Sequence, residues 1–196
     1  MAQLPIQPDR LVLASSSPRR AELLREAGYR FRVVEPPFAE PDERHPHVEP
    51  AAYAKSLAYF KARSIADDQP EDTILAADTI SVLDNEIFGK PADRDDARRI
   101  LSRLCGTCHH VITGVVLLHP ETDQRLMGHA VSTIYMRRLE SDQLESYLDT
   151  GQWQGKAGAY GIQDHGDAFV ERYDGSFSNV VGLPMELIRD MFAQWR

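Results

Sequence analysis

A short apolar run that passes directly into a polar turn and a helix start most constrains how this chain folds. Residues 10–14 (RLVLA) have the pattern of a short buried strand. Residues 15–17 are all serine. Ser17 can serve as the N-cap of a helix, and Pro18 suits its first turn. Gly28 is placed to end that helix. We therefore predict a strand, a polar turn and a helix in succession near the N-terminus.

Strand and helix patterns alternate along the rest of the chain, and Asp84-Asn85 predicts a tight hairpin turn. This alternation, with a hairpin included, predicts an α/β fold around a mixed sheet in one domain over residues 1–196. The further predicted strands are 30–34, 73–77, 80–83, 86–88, 110–118, 125–136 and 169–173. The further predicted helices are 50–67, 93–104, 141–149 and 184–195, and 35–49 is a predicted loop. Asp93 is the predicted cap of the helix 93–104.

Composition narrows the functional class. The chain has 196 residues, of which 42% are hydrophobic, enough for a buried core. Its formal net charge of −8 argues against a general attraction to nucleic acid or to an anionic membrane. No apolar stretch has the length of a membrane span, and residues 1–10 lack the apolar run of a signal peptide. We predict a cytoplasmic protein with neither nucleic acid nor a membrane as partner.

The two cysteines form a pattern that has three interpretations. Residues 105–109 (CGTCH) match the attachment pattern of a c-type haem and half of a zinc site. Haem attachment belongs to exported chains, and a structural zinc needs four ligands. The third interpretation, two reduced thiols near the start of a strand, requires no cofactor and is the one we favour.

The turn at 15–17 and the helix start after it have the residue types of a phosphate site. Arg19 and Arg20 open the helix, where backbone N–H groups and the helix dipole favour an anion. The hydroxyl groups of Ser15 and Ser17 add donors, and guanidinium groups bind phosphate oxygens in pairs. The alternative is an ordinary helix start with two solvated arginines.

Asp78 follows the apolar run 74–77 (ILAA), which predicts a carboxylate at the C-terminal end of a buried strand. Open α/β sheets bind their ligands at that edge, so Asp78 is a candidate metal ligand or general base. The alternative is an aspartate that only caps the next turn. Lys90 ends the neighbouring hairpin, and it is either a phosphate ligand or a solvated turn residue.

Two segments near the C-terminus are rich in small residues. In residues 156–163 (KAGAYGIQ), glycines permit close approach of a ligand, while Tyr160 and Gln163 offer hydrogen bonds or stacking. A tight loop packed under the sheet explains the same pattern. Residues 175–184 (GSFSNVVGLP) have the same two interpretations.

Together these segments resemble the Maf family of nucleotide pyrophosphatases over nearly the whole chain. Residues 11–24 (LVLASSSPRRAELL) are similar to the first motif of the family, and 77–79 (ADT) with 89–91 (GKP) are similar to its central one. Residues 156–163 and 175–184 match its two C-terminal motifs. Four motifs in the same order make the resemblance specific.

The resemblance implies a Maf/inosine-triphosphatase-like fold with two lobes around a central cleft, a homodimer, and hydrolysis between the α and β phosphates of a nucleoside triphosphate. It also implies a divalent cation, Mg²⁺ or Mn²⁺, as cofactor. By position, Asp78 becomes the catalytic base or a metal ligand. The residues that bind phosphate become Ser15, Ser17, Arg19, Arg20, Lys61 and Lys90, and those that select the base become Arg19, Thr79 and Gln163.

Three departures from the family pattern affect these expectations. Residues 152–155 (QWQG) stand where many relatives have a run with two carboxylates, and Trp153 adds bulk there. Glu40 and Asp42 in the acidic loop thereby become candidates to share the metal with Asp78. Phe60 stands where a polar residue is common, and Cys105 replaces a common serine.

The form of residues 156–163 bears on the base. In the family, the tyrosine-glycine-isoleucine-glutamine sequence found at 160–163 goes with preference for dTTP and UTP. The branch that acts on 7-methyl-GTP has a different sequence there. We therefore expect a dTTP/UTP pyrophosphatase that could also accept modified nucleotides, with two alternatives: a 7-methyl-GTP-type pyrophosphatase, or a nucleotide-binding regulator of septum formation.

Overall fold

The computed structural model of the protein describes residues 5–39, 41, 48–162 and 169–195. Within these residues seven strands form one mixed sheet in the order β2-β1-β3-β5-β6-β7, and β4 pairs with β3. The strands are β1 Leu11–Ala14, β2 Arg32–Val34, β3 Thr73–Leu83, β4 Glu86–Phe88, β5 Cys108–His119, β6 Gln124–Met136 and β7 Val170–Asp174. The helices are α1 Pro18–Glu26, α2 Pro50–Arg63, α3 Arg94–Leu104, α4 Ser141–Asp149, α5 Phe177–Val181 and α6 Met185–Gln194.

The sheet combines parallel and antiparallel pairs, as the sequence predicts. β1 runs parallel to both β2 and β3, whereas β3 with β4 and β6 with β7 are antiparallel. The β3–β4 hairpin turns at Asp84 and Asn85, whose φ angles of 49° and 68° are those of a two-residue turn. The prediction of an α/β fold around a mixed sheet is confirmed.

The chain divides into two compact units. The first contains Met1–Asp78, Thr113–Ala130 and Gly182–Arg196, and the second contains Thr79–Ile112 and Val131–Val181. No helix among the described residues is long and apolar enough to cross a membrane.

The first unit has an apolar cluster on each face of its strands, because side chains alternate along a strand. On one face, Leu13 and Leu75 pack with Leu24 of α1 and Ile188 of α6. On the other face, Val12, Ile74 and Val116 pack against α2 through Ala58 and Ala62. The first unit is therefore a helix–sheet–helix sandwich.

Helix α2 approaches β5 very closely. Ala54, Ala58 and Ala62, spaced one helical turn apart, are fully buried. A Cβ atom added at Gly114 of β5 would lie 2.4 Å from backbone atoms of Ala54 and Lys55. Small side chains on α2 and the missing side chain at Gly114 thus set the distance between helix and sheet.

The described residues of the second unit contain one apolar cluster. Ile100 and Leu104 of α3, Tyr147 of α4 and Ile134 of β6 are all part of it. Helix α3 begins as predicted, because the Asp93 side chain accepts a hydrogen bond of 2.8 Å from the Asp96 backbone N–H. The five-residue helix α5 was not predicted.

Candidate active site

The polar turn after β1 is held together by Ser15. The Ser15 side chain is buried at 3% exposure, and its backbone N–H donates to the Val34 carbonyl of β2 at 3.1 Å. Its Oγ accepts a hydrogen bond of 3.1 Å from the Ser17 backbone N–H. Ser15 therefore shapes the turn, in addition to being a predicted phosphate ligand.

Helix α1 begins at Pro18 with Ser17 at its N-cap, and both positions are those predicted. Ser17 occupies the N-cap position with extended backbone angles, yet its side chain makes no capping hydrogen bond within the described chain. The Ser17 backbone N–H is turned toward Ser15 instead. Ser17 is thus the N-cap residue, but the hydroxyl group that closes the turn is that of Ser15.

Arg20 turns toward the C-terminal part of the first unit. Its Nε donates to the Gly182 carbonyl at 2.8 Å, and its Nη1 lies 3.4 Å from Ser15 Oγ. Arg19 is half-buried in the same first turn. The structure thus brings Ser15, Ser17 and Arg20 together at one helix start.

Lys61 and Asp78 form a buried ion pair. Lys61 Nζ donates to Asp78 Oδ1, and the two residues are only 8% and 4% exposed. Lys61 lies between Ala58 and Ala62 on the side of α2 that faces the sheet, and Asp78 continues the alternation of Ile74 and Ala76 on β3. Helical and strand periodicity therefore place both charges on the same face.

The ion pair lies level with the end of β1. In the parallel β1–β3 register Ala14 is opposite Ala76, and the next residues of the two strands are Ser15 and Ala77. Asp78 thus lies one residue beyond the level of Ser15, where β1 has ended and the serine turn begins. The structure places the buried carboxylate beside the end of a parallel strand, which is the position of ligand sites in such sheets.

The prediction that β3 ends before Asp78 is wrong. β3 continues to Leu83, so Asp78 lies within the strand. The strand continues because its partner changes: after the parallel pairing with β1 stops, Ser81 pairs with Phe88 of β4 in antiparallel fashion. Because Asp78 lies inside a continuous strand, the alternative that it only caps a turn is excluded.

In the second unit, the segment after β4 contacts the small-residue segment 156–163. The Gly158 backbone N–H donates to the Gly89 carbonyl at 3.0 Å, beside the exposed Lys90. Gly158 has a φ angle of +73°, and a Cβ there would lie 2.6 Å from Ser81 Oγ. Two of the motifs that resemble the Maf family are therefore joined by a backbone hydrogen bond.

A family model described as Maf-like protein matches residues 10–195, nearly the whole chain. The chain belongs to the Maf-like family. The resemblance of the four motifs and the α/β fold that it implies are thereby confirmed.

Several similar curated proteins have the same name. A dTTP/UTP pyrophosphatase of Symbiobacterium thermophilum is 43% identical over 186 residues, which cover 94% of this chain and 93% of the relative. A dTTP/UTP pyrophosphatase of Alkaliphilus metalliredigens is 42% identical over 90% of this chain and 91% of its own. That of Bdellovibrio bacteriovorus is 40% identical over 94% of this chain and 98% of its own.

Tyr160 of the Maf-like chain is a core residue. It is 5% exposed, and its hydroxyl lies 2.8 Å from Nε2 of the fully buried His109, with the two rings edge to face. Burial raises the pKa of Tyr160 and lowers that of His109 to about 4. The burial of Tyr160 favours the alternative interpretation, a packed loop, over direct contact with a ligand. The sequence analysis considered His109 only within the haem or zinc pattern, and not as the partner of Tyr160, which lies 51 positions away.

The buried His109 makes the stability of the second unit depend on pH. Burial, with a contribution from His110, depresses the pKa of His109 from its ordinary 6.5 to about 4. Between these two values the unfolded chain binds more protons than the folded chain, so we expect the free energy of unfolding to fall as pH falls. The loss amounts to about 3 kcal/mol and is complete below pH 4, with no effect of His109 above its unfolded pKa.

Urea unfolding at pH 7.5, 6.0 and 4.5 measures this loss. The sequence has two tryptophans, so the Trp195→Phe background leaves Trp153 as the fluorescent reporter within the second unit. His109→Gln in the same background is the control, and we expect it to depend less on pH between 6.5 and 4. The same pH dependence in both proteins would contradict the assignment to His109.

The last motif, residues 175–184, is largely structural. Asn179 is fully buried, and its Nδ2 donates to the Val111 carbonyl at 3.1 Å and to Ser132 Oγ at 2.9 Å. Gly175 has a φ angle of +111°, and a Cβ there would lie 2.9 Å from Ser132 Oγ. This arrangement supports the packed interpretation for residues 175–181.

Some predicted site residues lie outside the described residues. They include Gln163, predicted to select the base, and Glu40 and Asp42, predicted to share a metal with Asp78. Their roles stay predictions. Thr79 is half-buried in β3, directly after Asp78.

The two cysteines are free thiols. Cys105 is half-buried, and Cys108 is exposed at the first residue of β5. Burial raises the pKa of the Cys105 thiol to about 11. Among the described residues no group of three or more histidine, cysteine, aspartate or glutamate side chains is arranged to hold a metal. The position of Cys108 at a strand start agrees with the interpretation that we favoured.

Proposed function

We propose that this chain hydrolyses dTTP and UTP to the corresponding monophosphate and pyrophosphate. The observation that carries the proposal is the buried Lys61–Asp78 pair beside the end of β1, where the serine turn and α1 begin. The names of relatives that are 40% to 43% identical supply the substrates.

Asp78 is the group that activates water in this proposal. Its carboxylate is nearly buried and is held by Lys61, so its orientation is fixed before substrate arrives. A water held by Asp78 attacks the α-phosphorus, the bond from that phosphorus to the bridging oxygen of the β-phosphate breaks, and pyrophosphate leaves. Asp78 orients the water and accepts its proton.

The cationic groups of the first unit stabilise the negative charge of the triphosphate. The ammonium group of Lys61 has three donors, so it can contact a phosphate oxygen while it stays hydrogen-bonded to Asp78. Ser15, Ser17 and Arg19 lie at a helix start, where the dipole and backbone N–H groups favour an anion. Such fixed donors contribute several kcal/mol to the stabilisation of a transition state.

The site fits a divalent cation that arrives with the substrate. Mg²⁺ is commonly bound by one or two carboxylates together with substrate phosphates, and Asp78 provides one buried carboxylate. The residues that would hold the cation are Asp78 and, by prediction, Glu40. When bound, a divalent cation neutralises phosphate charge and polarises the bond to phosphorus.

The roles of four further residues are proposed from the resemblance to the family alone. Lys90 is proposed to bind phosphate, and Arg19, Thr79 and Gln163 are proposed to select the base. The homodimer, which the family implies, and the cytoplasmic location, which the sequence analysis predicts, are likewise proposals.

Product analysis tests the proposed function. The purified chain is incubated with Mg²⁺ and one of UTP, dTTP, CTP, GTP or 7-methyl-GTP, and the products are separated by ion-exchange chromatography. We expect UMP or dTMP with an equal amount of pyrophosphate, and a return to the background rate when EDTA replaces the metal.

Other products would contradict the proposal in distinct ways. Stepwise release of inorganic phosphate would indicate a general phosphatase, and 7-methyl-GMP as main product would indicate the other branch of the family. Saturable binding of nucleotide without any product would indicate a regulator.

A further inference from the structure

Arg20, the second of the two arginines at the start of α1, is held by contacts within the first unit. Arg20 is the third residue of the helix, and its Nε donates to the carbonyl of Gly182, which lies 162 positions away in the sequence. At 2.8 Å this is a hydrogen bond of ordinary length from a charged donor, a class stronger than bonds between neutral groups. The contact is within the first unit and requires no substrate.

Helical geometry separates the two side chains. Successive residues of an α-helix point about 100° apart around the axis. Because Arg20 is turned toward Gly182, Arg19 points to a different side of the helix start.

The partner of Arg20 is fixed by its own backbone. Gly182 has a φ angle of +123°, which residues with a side chain rarely adopt, so glycine sets the direction of this carbonyl. Leu183, the next residue, is fully buried in the cluster formed with α1 and α6. Arg20 therefore binds to a rigid acceptor.

The same guanidinium group also reaches the serine turn. Nη1 of Arg20 lies 3.4 Å from Ser15 Oγ, the oxygen that accepts the Ser17 backbone N–H. This contact is longer and weaker than that to Gly182. Through it, one side chain links the Gly182 carbonyl to the hydroxyl that shapes the turn.

We propose that Arg20 is a positioning residue, which holds the turn at residues 15–17 against Gly182, while Arg19 is the arginine that contacts phosphate. This inference rests on the proposed function for its effect on catalysis. It differs from the expectation drawn from the sequence, in which both arginines bind the triphosphate. A turn displaced by about 1 Å lowers the rate by up to about 100-fold, since donors then miss the transition state.

Steady-state kinetics with UTP separates the two roles. For Arg20→Met we expect kcat to fall between 10-fold and 100-fold while KM stays within threefold of wild type. Arg20→Lys should match Arg20→Met, since an ammonium group lacks the fork that joins Gly182 to Ser15. For Arg19→Met we expect KM to rise at least tenfold, and Arg19→Lys should recover part of that loss because the charge is kept.

Two kinetic outcomes would overturn the inference. If KM rises tenfold in Arg20→Met and recovers in Arg20→Lys, Arg20 is a phosphate ligand. If both constants are unchanged and only the melting temperature falls, Arg20 is purely structural.

A measurement on the wild-type protein does not depend on hydrolysis. In ¹⁵N-labelled protein the Nε–H signal of Arg20, assigned by its loss in Arg20→Lys, should exchange slowly with water when no nucleotide is present. It should also keep its position when a non-hydrolysable UTP analogue is added. Rapid exchange without nucleotide, or a large shift on binding, would refute the anchor even if the protein hydrolyses UTP. A protected signal in a protein without hydrolytic activity would leave the anchor intact and refute the proposed function.

Discussion

Asp78→Asn is expected to lower kcat for UTP and dTTP by about 1000-fold, because it removes the group that accepts the proton of the attacking water. The variant should also be less stable, since it leaves the buried ammonium group of Lys61 without its charged partner. Removing one partner of a buried ion pair lowers the free energy of unfolding by about 3–5 kcal/mol. The kinetics are therefore measured at a temperature where circular dichroism shows the variant to be folded.

Two further variants separate chemistry from stability. Asp78→Asn combined with Lys61→Met removes both charges, so it should regain stability and remain inactive. Asp72→Asn is a matched control: Asp72 is a 4% exposed aspartate of the same unit, directly before β3, and it pairs with Arg10 and Arg32. It should lose stability without a large loss of kcat. Hydrolysis by folded Asp78→Asn within tenfold of wild type would remove Asp78 from its proposed role.

Gly114→Ala is expected to lower the free energy of unfolding of the first unit by about 3 kcal/mol, the upper part of the range for overpacked cores. Its Cβ would lie 2.4 Å from the backbone of Ala54 and Lys55, so α2 has to move. Lys61 lies two helical turns further along α2, about 10 Å away. The displacement should therefore reach the ion pair, and we expect kcat to fall at least about tenfold.

Urea unfolding in the Trp153→Phe background measures this effect, because Trp195 then reports on the first unit. Gly128→Ala is the matched control, a glycine on β6 of the same unit. Its Cβ would meet only the flexible end of Leu187 at 3.2 Å, and the cost should stay below about 1 kcal/mol. If Gly114→Ala is no more destabilised than Gly128→Ala, close packing of α2 does not set the position of Lys61.

Local signals were sufficient for much of the fold. The run 11–14 with Pro18 after it, the Asp84-Asn85 turn and the Asp93 cap each depend on neighbouring residues, and each was predicted from the sequence. Helix α5 also has a local signal, because Ser176 Oγ accepts a hydrogen bond from the Asn179 backbone N–H at 3.1 Å, which is the pattern of a helix cap.

Features that depend on distant partners could not be predicted in this way. The end of β3 depends on β4, which takes over as partner once β1 has ended. The pairing of Lys61 with Asp78 and of Tyr160 with His109 each joins residues far apart in the sequence. The motifs identified Asp78 and Lys61 as site residues, but only the fold shows that they neutralise each other in the core.

The contact between Arg20 and Gly182 has a consequence for synthesis of the protein on the ribosome. At about 5–20 residues per second, roughly 10–30 seconds separate the appearance of these two residues. During that interval α1 also lacks α6, whose Ile188 and Phe192 belong to the same apolar cluster. The serine turn is thus synthesised early, but its contact through Arg20 with Gly182 and the packing of α1 on α6 form only when the final helix emerges. Premature termination therefore yields a chain in which the turn lacks these contacts.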